Sequence, residues 1–186
     1  MKSYLDYKKY IIAFVICLAG AAWIWISRVP AEGQPLPSLT APQEGFQAPP
    51  FSLTSNSDDE FNLADYRGVP IIINFWASWC PPCKAEMPAF QQLFEEHQST
   101  NLIIAAVNVT NQDSLSEARE FITLNQLTLP ILFDISGSTS HAYNINLLPS
   151  TFFINRKGNI QKIIIGGPIP ISLLRVELDK LLQEEP

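Results

Sequence analysis

Short apolar runs alternate along this chain with longer stretches in which apolar residues recur every three or four positions, and that alternation lays out its elements. Phe51–Thr54 and Glu60–Leu63 alternate apolar and polar residues around the turn-rich Ser55-Asn56-Ser57-Asp58, the pattern of a half-buried hairpin. Ile71–Trp76 is apolar at every position except Asn74, so it reads as a central strand covered on both faces. A helix is predicted from Pro81 to Gln98, with Pro88 denying an N–H to the carbonyl of Lys84 and kinking it. Leu102–Val109 reads as a second buried strand. Ser114, with Glu117 three residues on, caps an amphipathic helix that runs to Asn125. A short strand at Ile131–Phe133 and a helical turn at Thr139–Tyr143 follow. Thr151–Ile154 and Ile160–Ile165 then flank the turn Asn155–Asn159, and a helix from Ile171 to Leu182 closes the chain. This order predicts an α/β fold: a mixed central sheet flanked by helices, with an N-terminal hairpin.

Ahead of that domain lies Tyr10–Ile26, a continuous apolar run without charge, near the lower length limit of a membrane-spanning helix. Lys2, Lys8 and Lys9 precede it and Arg28 follows, which by the positive-inside rule keeps the N-terminus in the cytoplasm. Tyr10, Trp23 and Trp25 stand where interfacial aromatics belong. A cleaved signal peptide is the alternative, because Ala19-Gly20-Ala21 resembles a cleavage site. The apolar Trp23–Ile26 carries the run past that point and favours an uncleaved anchor. Cys17 lies inside the run as an ordinary apolar residue. Either way the rest of the chain is exported, to a compartment where disulfide chemistry is relevant. Pro30–Pro50 then holds six of the fifteen prolines and reads as an extended tether without specific contacts, of roughly 60 Å at ~3.1 Å per residue. The expected organisation is a stub and anchor over 1–28, a Pro-rich tether over 29–45 and a folded domain over 46–186.

Charge narrows the function classes. The net charge is −6, and four of the twelve basic residues lie in the first 28 positions against one of the eighteen acids. The domain is therefore more acidic than the whole, a poor match for nucleic acid or anionic headgroups. Three cysteines are too few for a disulfide-stapled scaffold.

Chemistry concentrates at Cys80-Pro81-Pro82-Cys83, where the central strand gives way to a helix. With Cys80 at the N-cap, unpaired backbone N–H groups and the helix macrodipole stabilise a thiolate. Pro81 and Pro82 fall at the first two helical positions, where a missing N–H is tolerated, and each removes a donor that could have faced the sulfur. The N–H of Cys83 remains as the nearest donor, so the thiolate is moderately acidic. Cys80 is the candidate redox nucleophile and Cys83 its resolving partner. A zinc site is the usual rival, but it needs four ligands, and His97 and His141 lack ligand-like spacing to the pair. An inert structural disulfide is the other alternative. No cofactor is called for, since the two sulfurs themselves carry the electrons.

Phe75–Pro88, with Trp79-Cys80-Pro81-Pro82-Cys83 at its centre, resembles the active-site stretch of thioredoxin-like proteins. More narrowly it is similar to the membrane-tethered TlpA/ResA-type thiol–disulfide oxidoreductases of bacteria. A second match, Leu148-Pro149-Ser150-Thr151-Phe152-Phe153-Ile154 with Gly158, resembles the loop whose cis-proline faces the disulfide in that fold. The resemblance covers roughly residues 46–186. It implies a thioredoxin-like fold and a cis Leu148–Pro149 bond, beside which an incoming peptide pairs as an extended strand. Trp79, Pro81, Leu148 and Pro149 become the candidate substrate-binding residues, with Trp76 the buried member of the tryptophan pair.

Asn74 occupies the position where thioredoxins carry a buried aspartate that handles the resolving cysteine's proton, a role an amide cannot fill. Glu86 lies three residues after Cys83 on the same helix face and matches an active-site acid of the ResA-type relatives. Burial would raise its pKa toward working pH and suit it to proton transfer; a solvated first-turn glutamate is the alternative. Leu147 stands where relatives often have glycine, and Ser150 where threonine is usual. The resemblance implies reduction of disulfides in exported proteins, apocytochrome c haem-attachment cysteines among them, at the outer face of the bacterial cytoplasmic membrane. A transmembrane thiol reductase would restore the dithiol. An oxidant or isomerase, a thiol peroxidase and a tethered peptide-binding module remain as alternatives. The peroxidase is disfavoured because Ala77-Ser78-Trp79 lacks a threonine-containing pocket pattern.

Overall fold

The computed structural model describes residues 14–23 and 40–183, and the chain divides into two compact units, Met1–Pro37 and Ser38–Pro186. In the first unit residues 14–23 form a helix, α1, with exposed side chains that include the free thiol of Cys17. Among the described residues no helix is long and apolar enough to cross a membrane. The flanks of the expected span, residues 10–13 and 24–26, lie outside the described residues, as does most of the expected tether.

The second unit is built on a seven-stranded sheet of order β2-β1-β5-β4-β3-β6-β7. Its strands are β1 (Ser52–Ser55), β2 (Glu60–Asn62), β3 (Ile71–Trp76), β4 (Ile103–Asn108), β5 (Ile131–Phe133), β6 (Ser150–Ile154) and β7 (Ile160–Ile165). The three central strands β3, β4 and β5 are parallel, and β1, β2, β6 and β7 pair antiparallel at the flanks. The crossovers between parallel strands are the helices α2 (Pro81–Glu96) and α3 (Leu115–Leu124); α4 (Ser138–Ala142) precedes β6, and α5 (Ile171–Gln183) packs on α2 and β6. Every residue of β3 is buried, the polar Asn74 included, as expected of a nearly continuous apolar strand covered on both faces.

Period-2 alternation sends successive β3 side chains to opposite faces. On one face Phe75 joins Tyr143 and Phe152, and Tyr143 in turn contacts Phe51, with ring centroids 5.0–5.9 Å apart. On the other, Asn74 and Trp76 lie beneath the helices: Asn74 bonds to Glu86 of α2, and Trp76 meets Phe121 of α3 at 5.4 Å.

Residues 40–50 correct the expectation of a contact-free tether. The compact unit begins at Ser38, ahead of the anticipated boundary at 46. The N–H of Gly45 bonds to the Ile160 carbonyl (2.7 Å), and Phe46 and Gly158 carbonyls accept from Ile160 (2.8 Å) and Ala48 (3.0 Å). The Glu44 carboxylate accepts the Ile163 N–H at 3.0 Å and pairs with Lys162 at 3.2 Å. β7 is an edge strand, whose outward N–H and C=O groups need partners, and this segment supplies several of them. Its Pro/Gly-rich composition concealed that role.

Candidate active site

Cys80 is the N-cap of α2, with extended backbone (φ −88°, ψ 107°) and Pro81 and Pro82 occupying the first two helical positions. The two prolines leave the Cys83 N–H as the donor that reaches the Cys80 sulfur, at 3.3 Å. The two sulfurs are joined as a disulfide. Cys83 is wholly buried and Cys80 is 3% exposed, so Cys80 is the sulfur nearer to solvent. Cys80 alone of the pair lines a cleft of ≈ 290 Å³ walled by Trp79, Pro81, Gln112, Ile145, Leu147 and Leu148. That volume sits at the bottom of the ~300–1,000 Å³ range of small-molecule pockets, and the cleft suits a segment of extended chain better than an enclosed ligand.

The structure thus brings Trp79, Cys80, Pro81 and Leu148 to one opening. Trp79 is 53% exposed and is held by its indole N–H, which donates to the Gln112 carbonyl at 2.9 Å. Trp76 is fully buried and takes no part in the cleft. The Leu148–Pro149 bond is cis, and so is Gly167–Pro168. Pro149 itself is buried and does not line the cleft, so of the four expected substrate-binding residues it alone stays off the opening and acts through the bend it gives the loop. A Cβ added at Gly167 would lie 2.7 Å from its ring and 2.5 Å from Glu86 Oε2, so position 167 requires glycine.

Glu86 is 1% exposed, which removes the solvated alternative. One carboxylate oxygen accepts from the Asn74 side chain at 2.8 Å and the other from the Ile169 N–H at 2.9 Å. Burial pushes its pKa up to about 7, and the Ile169 and Asn74 hydrogen bonds pull in the opposite direction without cancelling that cost. The same Asn74 amide nitrogen donates to Thr151 Oγ1 at 3.0 Å, while its carbonyl oxygen has no partner among the described residues. A protonated Glu86 could donate to that oxygen once the amide turned over, so the neighbourhood accommodates both charge states.

Several residues that hold the site went unnoticed in the sequence. Asp113 accepts from the Ser78 N–H and hydroxyl (2.6 Å each), from the Asn108 amide (2.7 Å) and from the Ser114 N–H (2.8 Å). It thereby fastens the Ala77–Trp79 loop to the start of α3. Its place before the capping Ser114 advertised a helix N-terminus and nothing more. Ile169, 83 residues from Glu86, carries no local signal at all. Among the described residues no cluster of three or more His, Cys, Asp or Glu side chains could hold a metal ion.

A cysteine pair at a helix N-terminus, opposite a cis-proline loop on a mixed sheet, defines a thioredoxin-like thiol–disulfide oxidoreductase. The chain belongs to the AhpC/TSA family, whose sequence model matches residues 45–163. It is 42% identical over 125 residues to the thioredoxin-like protein YneN of Bacillus subtilis, covering 67% of this chain and 72% of that one. With the thiol-disulfide oxidoreductase ResA of Geobacillus kaustophilus it shares 39% identity over 127 residues, 68% of this chain and 72% of that. The crystal structure of StoA from Bacillus subtilis superposes with a TM-score of 0.62 at 33% identity, over 69% of this chain and 95% of that one. Within its family the chain is therefore of the TlpA/ResA type, and it is an enzyme that exchanges thiols and disulfides.

Proposed function

We propose that this oxidoreductase works as a reductant of disulfides in exported proteins at the outer face of the cytoplasmic membrane, held there by its N-terminal apolar segment. The observation that carries the reading is the spare environment of Cys80: one N–H donor on the sulfur, two prolines where further donors could have stood, and an open cleft beside it. Fewer donors stabilise a thiolate less, which keeps the disulfide form accessible and the dithiol reducing. Cys80 attacks a substrate cystine, forming a mixed disulfide and releasing one substrate thiolate. Cys83 then displaces the second, so that the substrate leaves as a dithiol and Cys80–Cys83 is left oxidised. Glu86 takes the proton from Cys83 as it becomes the attacking thiolate. Trp79, Pro81 and Leu148, the last carried by the loop that cis-Pro149 bends, hold the substrate segment against the sulfur. A transmembrane thiol reductase supplies the electrons for the next cycle, and apocytochrome c haem-attachment cysteines are one substrate class that fits.

The test is an equilibrium titration of the Cys80–Cys83 couple against glutathione and dithiothreitol buffers. A potential close to ~−270 mV supports reduction; one close to ~−120 mV makes the protein an oxidant and ends this reading. Trapping from membranes with Cys83→Ala, which stalls the mixed disulfide on Cys80, identifies the partners.

A further inference from the structure

Two clefts adjoin on the side of the molecule that carries the redox centre, and they differ in chemistry. The first, which opens on Cys80, is walled by Trp79, Val109, Ile145, Leu147 and Leu148. The second is formed where α4 faces the β4–α3 loop and is lined by Asn111, Ser140, His141 and Asn144. They share Gln112, Ile145 and Asn146, so they lie side by side. Neither lining contains Asp, Glu, Lys or Arg, in a chain of net charge −6.

Within the second cleft the side chains of Asn111, Gln112 and His141 form no hydrogen bond to another described residue, and all three are exposed. Asn111 can stand there because its neighbour is glycine. Gly137 has φ +74°, and a Cβ on it would overlap the Asn111 carboxamide, 2.6 Å from its Cγ. The N–H of Asn111 bonds to the Asp134 carbonyl at 3.2 Å, which fixes its backbone over α4. A carboxamide both donates and accepts, so this lining pairs with groups that do the same. A charged side chain entering it would be desolvated with no opposite charge to meet, and an aliphatic one would leave the amides unpaired.

We propose that the second cleft is a specificity subsite for the substrate polypeptide: it takes an uncharged hydrogen-bonding side chain (Asn, Gln, Ser or Thr) of the segment whose cysteine reaches Cys80. An apolar residue of the same segment lies over Trp79 and Leu148. The proposal rests on the reading of Cys80 as the attacking sulfur, and its occupant is an extended chain because the two clefts adjoin across three shared wall residues, within reach of one segment. An extended segment offers alternate side chains to one surface, so a two-part groove reads a two-part pattern around the cysteine.

Affinity, measured without turnover, tests it. The probes are nine-residue peptides with S-methylcysteine at the centre and leucine on one side. Asn, Leu or Glu is scanned through the four positions on the other side, and the mirrored set is included. Dissociation constants are measured by calorimetry on the full-length Cys80→Ser/Cys83→Ser protein. In one register the Asn peptide binds five- to tenfold more tightly than its Leu and Glu counterparts, and Asn111→Ala/His141→Ala reduces that ratio below twofold. The two substituted side chains are exposed, and an unchanged thermal midpoint verifies the fold of the double variant. Absence of binding, no register that separates Asn from Leu and Glu, or a ratio that survives the double substitution overturns the proposal. Failure of the redox reading shows itself elsewhere, as inability of the wild-type protein to cycle between dithiol and disulfide in glutathione buffers.

Discussion

The two faces of β3 are equally buried and chemically unlike. On one, Phe75 packs against Tyr143 and Phe152, and the buried polar tips there are satisfied: the Tyr143 hydroxyl donates to the Pro49 carbonyl at 2.9 Å and the Ser150 hydroxyl to the Leu147 carbonyl at 2.7 Å. On the other, Asn74 meets a buried carboxylate, and two polar atoms, Asn74 Oδ1 and Trp76 Nε1, have no partner among the described residues. An unsatisfied buried polar atom costs about 1–3 kcal/mol. The apolar face therefore maximises stability, while the polar face forgoes some of it. The polar face is the one under α2, whose first turn carries both cysteines.

Substitutions on the two faces should come apart in what they change. The largest effect on function is expected from Cys80→Ser on the α2 side: disulfide reduction falls to the uncatalysed rate, while the urea midpoint of the reduced protein moves little. Retained turnover would show that Cys80 is not the attacking sulfur. The largest effect on stability is expected across the strand. Phe152→Ala empties a site between Phe75 and Tyr143 and should cost about 3–5 kcal/mol, with the potential of the remaining folded protein unchanged. A Phe152→Ala protein whose Cys80–Cys83 potential shifts along with its stability would erase the division between the faces.

Glu86→Gln sharpens the comparison by removing the charge and keeping the shape. Since the folded-state pKa of Glu86 is raised from 4.5 to about 7, its contribution to stability is fully present below pH 4.5 and is lost as pH rises through 7. The wild type should lose roughly 3 kcal/mol between pH 4 and 8 from this group, since its pKa is raised by about 2.5 at ~1.4 kcal/mol per pKa unit and the ends of that range titrate incompletely. The Gln variant should lack that loss and be the more stable protein at pH 8. Urea unfolding from pH 4 to 8 measures it, and parallel curves for the two proteins would deny the raised pKa. In the same variant the pH dependence of the reduction rate near 7 should flatten.

Much of this division could be read from the chain before folding. A hexapeptide apolar at every position but Asn74 announced a central strand, and the resemblance to thioredoxins put that exception beside the resolving cysteine. The helix start at Cys80 followed from the two prolines and the spacing, because N-cap geometry is local. The boundary at residue 46 misled, since Pro and Gly describe an unpaired backbone equally well whether it floats or docks on an edge strand; only β7's need for partners decides. The contacts to Glu86 were out of reach for a different reason. Its donors come from Asn74 and Ile169, 12 and 83 residues away, and are brought together by the sheet order alone.

Asp113 belongs to neither face and gives the smallest effect expected here. Its carboxylate accepts four hydrogen bonds, two of them from Ser78, at the bend between β3 and the Cys80 N-cap. Asn in its place keeps one acceptor oxygen and turns the other position into a donor that faces an N–H or NH₂ group. At least one of the bonds from Ser78, Asn108 and Ser114 must then break, a loss of about 1–2 kcal/mol. A residue that served packing alone would stop there. Because the same loop carries Trp79, whose indole is pinned to the Gln112 carbonyl next door, loosening it should also widen the range of positions Trp79 visits over the cleft. The expected signature of Asp113→Asn is a KM for peptide disulfides raised about three- to tenfold at nearly unchanged kcat, with a shifted Trp79 fluorescence maximum read against a Trp79→Phe control. A fall in kcat with KM constant would instead assign Asp113 to the sulfur chemistry on the α2 side, and the functional face would then extend one loop further than Asn74 and Glu86.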